Sequence, residues 1–266
     1  MTSTGSAESI AIADVTTQFR LDGRTAIVTG ASSGLGHRFT RVLAAAGANV
    51  VAAARRLDRL EDLASGDKRI VPLRCDVTVA GDREALFQCA MDRFGRVDVL
   101  VNNAGTSAEG PAETEPIEQF VHVLDVNLTS GYALTQLTAR HMLERGSGSI
   151  INVASNTGLG AAFPLKAANY CASKGAVVNL TRELGTQWAR RGLRVNCIAP
   201  GWFETEMTEG MFDEGSSSLR FIQRNTPMGR QGRVGELDGA LLFLASDASS
   251  FCTGQILVID GGWSAW

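Results

Sequence analysis

The chain reads as a single doubly wound α/β domain, a seven-stranded parallel sheet with helices on both faces. Three observations predict it. Short, nearly continuous apolar or β-branched runs alternate with longer stretches of helical periodicity, the pattern of strands covered on both sides. Seven such runs exceed one mononucleotide-binding half, so the sheet is wound in two directions and its ligand belongs beyond the carboxyl ends of the strands. The first run passes directly into a glycine-rich turn and a helix. The length, 266 residues, suits one such domain.

Residues 1–18 (MTSTGSAESIAIADVTTQ) lack the basic start and sustained apolar centre of a secretion signal. They read as a mobile arm ahead of a domain at 19–266. The first strand, Thr25–Thr29, leads into Thr29-Gly30-Ala31-Ser32-Ser33-Gly34-Leu35-Gly36 and a helix at about 35–46. Such a turn lets backbone N–H groups and a helix N-terminus approach a pyrophosphate, although glycines also make tight turns without a ligand. Its spacing is G-x-x-x-G-x-G rather than G-x-G-x-x-G. The second strand, Asn49–Ala53, is followed by Ala54-Arg55-Arg56 and a helix at 57–65, with no acid before Asp58. An acid near that strand end would bind the ribose 2′-hydroxyl of NAD, whereas an arginine accommodates a 2′-phosphate. Two arginines opening a helix also oppose its macrodipole, a cost that a bound phosphate offsets. These residues favour NADP(H) over NAD(H); the alternative is a solvated charged turn.

The third strand, Ile70–Leu73, leads to a helix at 82–94, and the fourth, Val97–Val101, ends in Asn102-Asn103-Ala104-Gly105. Small and amide residues there suit close approach to a cofactor, or make only a turn. A long helical pattern at 114–144 carries Asn127 in an apolar stretch. That amide is either a buried, satisfied group that bends the helix or part of a polar relay. The fifth strand, Ser149–Val153, is followed by Ser155, a hydroxyl at a strand end. The helix at 168–190 carries Tyr170 and Lys174, four residues apart on one face, in a chain with two tyrosines, three lysines and 22 arginines. A cation beside a phenol favours phenolate and makes Tyr170 a plausible proton donor and acceptor. The sixth strand, Arg194–Ile198, precedes Pro200-Gly201. Trp202–Arg230, rich in Glu, Gly, Ser and Met, reads as an irregular lid over the substrate (about 202–230). A helix at 233–246 and the strand Ile256–Ile259 complete the sheet. The apolar end, Gly262–Trp266, is expected to pack near a subunit interface or the substrate pocket.

In this order, the glycine turn at 29–36, Asn102–Gly105, Asn127, Ser155, Tyr170-x-x-x-Lys174 and Pro200-Gly201 resemble the short-chain dehydrogenases/reductases, over about Leu21 to Trp266. The resemblance implies a Rossmann-type fold and hydride transfer between a nicotinamide and a ketone or secondary alcohol. It implies Tyr170 as general acid/base, Lys174 lowering its pKa and holding the nicotinamide ribose, and Ser155 orienting the carbonyl. Asn127 would anchor a water-linked proton path to Lys174. By the same likeness Gly30, Ser32, Ser33, Leu35 and Gly36 surround the pyrophosphate, Arg55 the 2′-phosphate, and Asp76 and Val77 the adenine. Asn103, Ala104 and Gly105 flank the cofactor, and Pro200, Gly201, Phe203 and Thr205 its nicotinamide side. The likeness extends to reductases of sugar acids and polyols and to 3-oxoacyl reductases. One departure is the spacing from Ser155 to Tyr170, 15 residues where the family commonly has about 13; the difference falls in Thr157–Lys166.

A net charge of −3 offers no basic footprint for nucleic acid, and no apolar run approaches a membrane span. Five scattered cysteines read as reduced residues of a cytoplasmic protein, and three unclustered histidines predict no metal site. The helices at 114–144 and 168–190 carry apolar residues beyond one stripe (Phe120, Val123, Leu124, Leu134, Leu137; Val177, Leu180, Leu184, Trp188). In related proteins these helices pair between subunits, so a homotetramer or homodimer is expected. Two other readings compete with the enzyme: a silent dinucleotide-binding protein, which would be expected to lose Tyr170 or Lys174, and a methyltransferase, which would need no such pair.

Overall fold

A computed structural model describes residues 14–163 and 165–265. Its strands are β1 (Thr25–Thr29), β2 (Asn49–Ala54), β3 (Ile70–Arg74), β4 (Val99–Asn102), β5 (Gly148–Val153), β6 (Leu193–Pro200) and β7 (Ile256–Ile259). They form one sheet in the order β3-β2-β1-β4-β5-β6-β7, with every pair parallel. Period-two alternation divides the side chains between two apolar layers. Ala26 and Val28 of β1 join Phe39 and Leu43 of α1 (Gly34–Ala45), Leu60 of α2 (Leu57–Ala64) and Leu241 of α8 (Asp238–Ala245). Ile27 points the other way, into a layer with Leu86 of α3 (Ala80–Phe94), Leu134 and Met142 of α5 (Ser130–Arg145) and Leu184 of α6 (Ala168–Trp188). The sheet is covered on both faces, as the continuous apolar runs require.

The chain reverses its winding between β1 and β4, and there the two strand ends are tied together. Thr29 Oγ1 accepts hydrogen bonds from the N–H groups of Asn103 and Ala104, both at 3.0 Å. Asn103 Nδ2 donates to the carbonyls of Thr29 (2.9 Å) and Gly30 (3.3 Å). Deeper between sheet and helices, Asn102 Nδ2 donates to Thr135 Oγ1 and Asn152 Oδ1, and Asn152 Nδ2 donates to Thr181 Oγ1. This buried chain fixes α5 and α6 on β4 and β5, and so fixes the helix that carries Tyr170 and Lys174.

Three elements differ from the sequence reading. The pattern at 114–144 becomes α4 (Ile117–Leu124), a π turn at Asp125–Thr129 and α5, running on without a break. The extra residue of the π turn swings Asn127 inward to the loop after β4, a tertiary demand that helical periodicity does not encode. The lid is partly regular: Ser216 caps α7 (Ser217–Asn225), accepting from Leu219 N–H at 3.0 Å. The end of the expected arm is also ordered, as a 3₁₀ turn at Val15–Phe19 capped by Asp14; residues 1–13 lie outside the described residues. Several apolar residues expected beyond one stripe, among them Val123, Leu134, Val177 and Leu184, belong to the core of this one chain. The exposed apolar residues of α4 are Ile117 and Val121. No described helix is long and apolar enough to cross a membrane.

Thr29→Val keeps the shape of this buried side chain but strips two N–H groups of their acceptor. It is expected to lower the unfolding free energy by about 2 kcal/mol, measured by urea denaturation; no change in the midpoint would contradict the role given to Thr29.

Candidate active site

Sheet geometry places the loops that leave β1, β2, β3, β4, β5 and β6 along one edge, and between them lies a cleft of about 300 Å³. At its floor the glycine turn enters α1. Ser33 precedes the helix without a side-chain capping bond, and the first turn contains no acid. The opening N–H groups of α1 are therefore free to receive an anion. Gly36 lies beneath this turn, and a Cβ there would overlap the Gly30 carbonyl oxygen, so only glycine lets helix and strand pack this closely. Asp76, Val77 and Thr78 line one end of the cleft; Ser155, Tyr170 and Lys174 line the other, with Pro200, Gly201, Phe203 and Thr205. Asp76 Oδ1 accepts from Thr78 Oγ1 and N–H (2.7 and 3.0 Å), which holds its carboxyl below the usual range. The long cleft, its uncapped helix start and its basic rim fit a phosphate-bearing dinucleotide.

At the other end Lys174 is only 4% exposed, and among the described residues no carboxylate neutralises it. Its Nζ donates to the carbonyl of Val153, the last residue of β5, at 2.8 Å, and lies 5.6 Å from the centre of the Tyr170 ring. Burial pulls the ammonium pKa down to about 8. Tyr170, half-buried beside it, is pushed up to about 12 by desolvation, which interaction with the Ser155 hydroxyl opposes. The Lys174 ammonium itself is turned to Val153.

Ser155 opens a 3₁₀ turn at Asn156–Gly158; its Oγ accepts from Thr157 N–H (3.2 Å) and Thr157 Oγ1 (3.0 Å) and donates to Asn156 Oδ1 (3.2 Å). A Cβ on Gly158 would lie 2.7 Å from the Lys174 backbone carbonyl, so this glycine lets the Ser155 turn sit directly on α6. Beyond the turn, within the longer Ser–Tyr spacing, Leu159 and Phe163 are exposed. Asn127 stands behind the cleft and does not line it. Its Oδ1 accepts from Thr106 N–H (2.7 Å), and its Nδ2 donates to Thr106 O and Ser173 Oγ, both at 2.9 Å. Asn127 is buried and its amide is hydrogen-bonded at both ends. It nevertheless shares Gly105 as a neighbour with Lys174 Nζ.

With the exceptions of Gly36 and Asn127, every residue to which the resemblance assigns a catalytic or cofactor role lines the cleft. Several lining residues were given no individual role from the sequence, among them Arg56, Thr78, Thr106, His122 and Glu206. Arg55 is exposed at the rim, whereas Arg56 donates to Ser32 Oγ and Ser33 Oγ at 3.1–3.3 Å. The doubled arginine was the available signal; which of the two turns inward depends on the backbone leaving β2. The C-terminal segment closes on the lid: the Trp263 ring packs edge-on to Trp202 (centroids 5.5 Å apart) and against Phe221 of α7 (5.9 Å). Trp266 lies outside the described residues.

A family model described as Enoyl-(Acyl carrier protein) reductase matches residues 30–264. A 2-dehydro-3-deoxy-D-gluconate 5-dehydrogenase of Bacillus subtilis (strain 168) is 39% identical over 250 residues, covering 92% of this chain and 96% of the relative. The crystal structure of a short-chain type dehydrogenase/reductase from Mycobacterium marinum superposes with a TM-score of 0.89 at 36% identity, covering 95% of this chain and all of the other. A gluconate 5-dehydrogenase from Burkholderia cenocepacia J2315, solved in complex with NADP and tartrate, gives 0.87 at 36% identity over 94% of this chain and 98% of the other.

The buried ammonium has a measurable consequence. Its folded pKa, about 8, lies below the roughly 10.4 of an unfolded lysine, so the unfolded chain binds more protons between these values. The burden on stability, on the order of 3 kcal/mol, is complete below about pH 8 and fades as pH rises towards 10.4. Relative to the native protein, Lys174→Met is therefore expected to be more favourable at pH 7 than at pH 10, by thermal unfolding at both; an equal difference at the two pH values would contradict it.

Proposed function

Because this chain belongs to the short-chain dehydrogenase/reductase family, we propose that it passes hydride between NADP(H) and a ketone or secondary alcohol, with Tyr170 as general acid/base. The observation that carries this reading is the meeting of Ser155, Tyr170 and Lys174 at one end of a cleft whose other end is fitted for a dinucleotide. When bound, the nicotinamide supplies or accepts the hydride. In the reducing direction negative charge grows on the carbonyl oxygen, and the Ser155 and Tyr170 hydroxyls donate hydrogen bonds that strengthen as it does. Tyr170 then releases its proton to that oxygen. Lys174 has one N–H committed to Val153 and two more to offer, which suits a role in holding the ribose and stabilising the phenolate. Asn127 holds the loop after β4 against α6, consistent with supporting a water-linked proton path to Lys174.

The preference for NADP(H) rests on Arg55 and Arg56 at the exit of β2, where no acid stands to receive a ribose hydroxyl. For the substrate, likeness to enzymes named for sugar acids favours a small polyhydroxylated acid or polyol over a 3-oxoacyl compound. Five free cysteines are consistent with a cytoplasmic protein. The exposed Ile117 and Val121 on α4 support assembly as a homodimer or homotetramer.

Tyr170→Phe is expected to lower kcat about 10³-fold while leaving the Kd for NADPH within about twofold. Loss of cofactor binding with the hydroxyl would instead assign Tyr170 to binding. Across a panel of ketones scored by kcat/KM, sugar acids and polyol-derived ketoses should exceed 3-oxoacyl thioesters; the reverse order would overturn the substrate class.

A further inference from the structure

One strong ionic contact at the cleft remains without a part in hydride transfer. Glu206 belongs to a 3₁₀ turn of the lid, Glu206–Thr208, held by reciprocal hydrogen bonding of Thr205 and Thr208. Its carboxylate reaches across the cleft mouth and binds Arg56 bidentately: Nη1 to Oε1 and Nη2 to Oε2, both 2.6 Å. Arg59 Nη1 adds a bond to Oε1 at 3.3 Å. The same Arg56 guanidinium holds the Ser32 and Ser33 hydroxyls. Two guanidinium groups thus converge on one oxyanion that a lid side chain supplies, and the Ser32 and Ser33 hydroxyls accept from the same Arg56.

We propose that Glu206 is a selectivity latch, a carboxylate occupying the seat that Arg56, Ser32 and Ser33 would give to the cofactor's 2′-phosphate. The inference rests on the NADP(H) reading above and adds a residue to it. Carboxylate and phosphate engage a guanidinium in the same bidentate geometry, so one fork serves one of them at a time. Hydrogen bonding to Arg56, and then to Ser33, holds the Glu206 carboxyl at about 2, so it stays ionised across the working range. Two anions would repel each other in this space. A cofactor bearing a 2′-phosphate must displace Glu206, whereas one with a 2′-hydroxyl leaves Arg56 and Glu206 paired. The Glu206 side chain is 40% exposed, so it can swing into solvent, and the pair costs little to open. Glu206 therefore narrows the preference for NADP(H) and couples the lid turn to the identity of the nucleotide.

The test is a fluorescence titration of NADPH and NADH against the full-length native protein, Glu206→Gln and Glu206→Ala, with thermal unfolding confirming that each variant is folded. Both variants should tighten NADPH binding several-fold, up to about tenfold, and leave the Kd for NADH within about twofold. An unchanged ratio of the two constants, or weaker NADPH binding, overturns the latch. Failure of the native protein to bind NADPH is a separate result, which overturns the cofactor reading together with the latch.

Discussion

A buried ammonium with no counter-ion among the described residues governs the site. Among the described residues the Lys174 ammonium has a single hydrogen-bond partner, the carbonyl that ends β5, and burial brings its pKa close to the working range. Its neighbours are the pieces that would answer this charge. The Tyr170 ring lies beside it, the Ser155 turn rests on its backbone through Gly158, and Gly105 leaves open the space in front of Nζ. A carboxylate there would satisfy the lysine and remove its pull on a phenolate. The cation's own desolvation cost is thus the source of its chemical use, because an uncompensated charge favours any anion that forms next to it.

The fold exists to hold that charge at a strand end. Seven parallel strands bring six loops to one edge, and hydrogen bonds from Asn103 to Thr29 fix the reversal point where the cleft begins. The Asn102–Asn152–Thr181 chain sets α6 on the sheet, so the position of Tyr170 over the cleft follows from buried amides rather than from the loop that precedes it. The lid is braced from the opposite side by Trp263 against Trp202 and Phe221, a second use of aromatic area at the end of the chain.

Much of this was legible in the sequence because strand-end chemistry is local. A glycine turn after TAIVT, a hydroxyl after Val153 and a Tyr-Lys pair one helical turn apart each state their position relative to a strand or helix. What escaped depends on contacts between distant segments. Helical periodicity at 114–144 is the same with or without the π turn, since the Asn127–Thr106 bonds that reward it cross 21 positions. The choice of Arg56 over Arg55 for the serine hydroxyls is made by the backbone leaving β2. Glu206 was one acid among several in a lid read as irregular, and its arginine partner lies 150 residues away. The orientation of Lys174 towards Val153 likewise follows from packing and not from the four-residue spacing.

The most direct test uses the scarcity of tyrosine in this chain. Only Tyr132 and Tyr170 contribute phenolate absorbance, so an ultraviolet difference titration with and without saturating NADP⁺ resolves them. In the cofactor-free protein Tyr170 should resist ionisation, as its desolvation dictates. With NADP⁺ bound, the positive nicotinamide ring joins Lys174 in favouring phenolate. One tyrosine should then ionise at least about two pH units lower than before, and the signal should vanish in Tyr170→Phe. Two tyrosines that titrate identically with and without NADP⁺ would contradict a proton-transfer site built on the buried lysine.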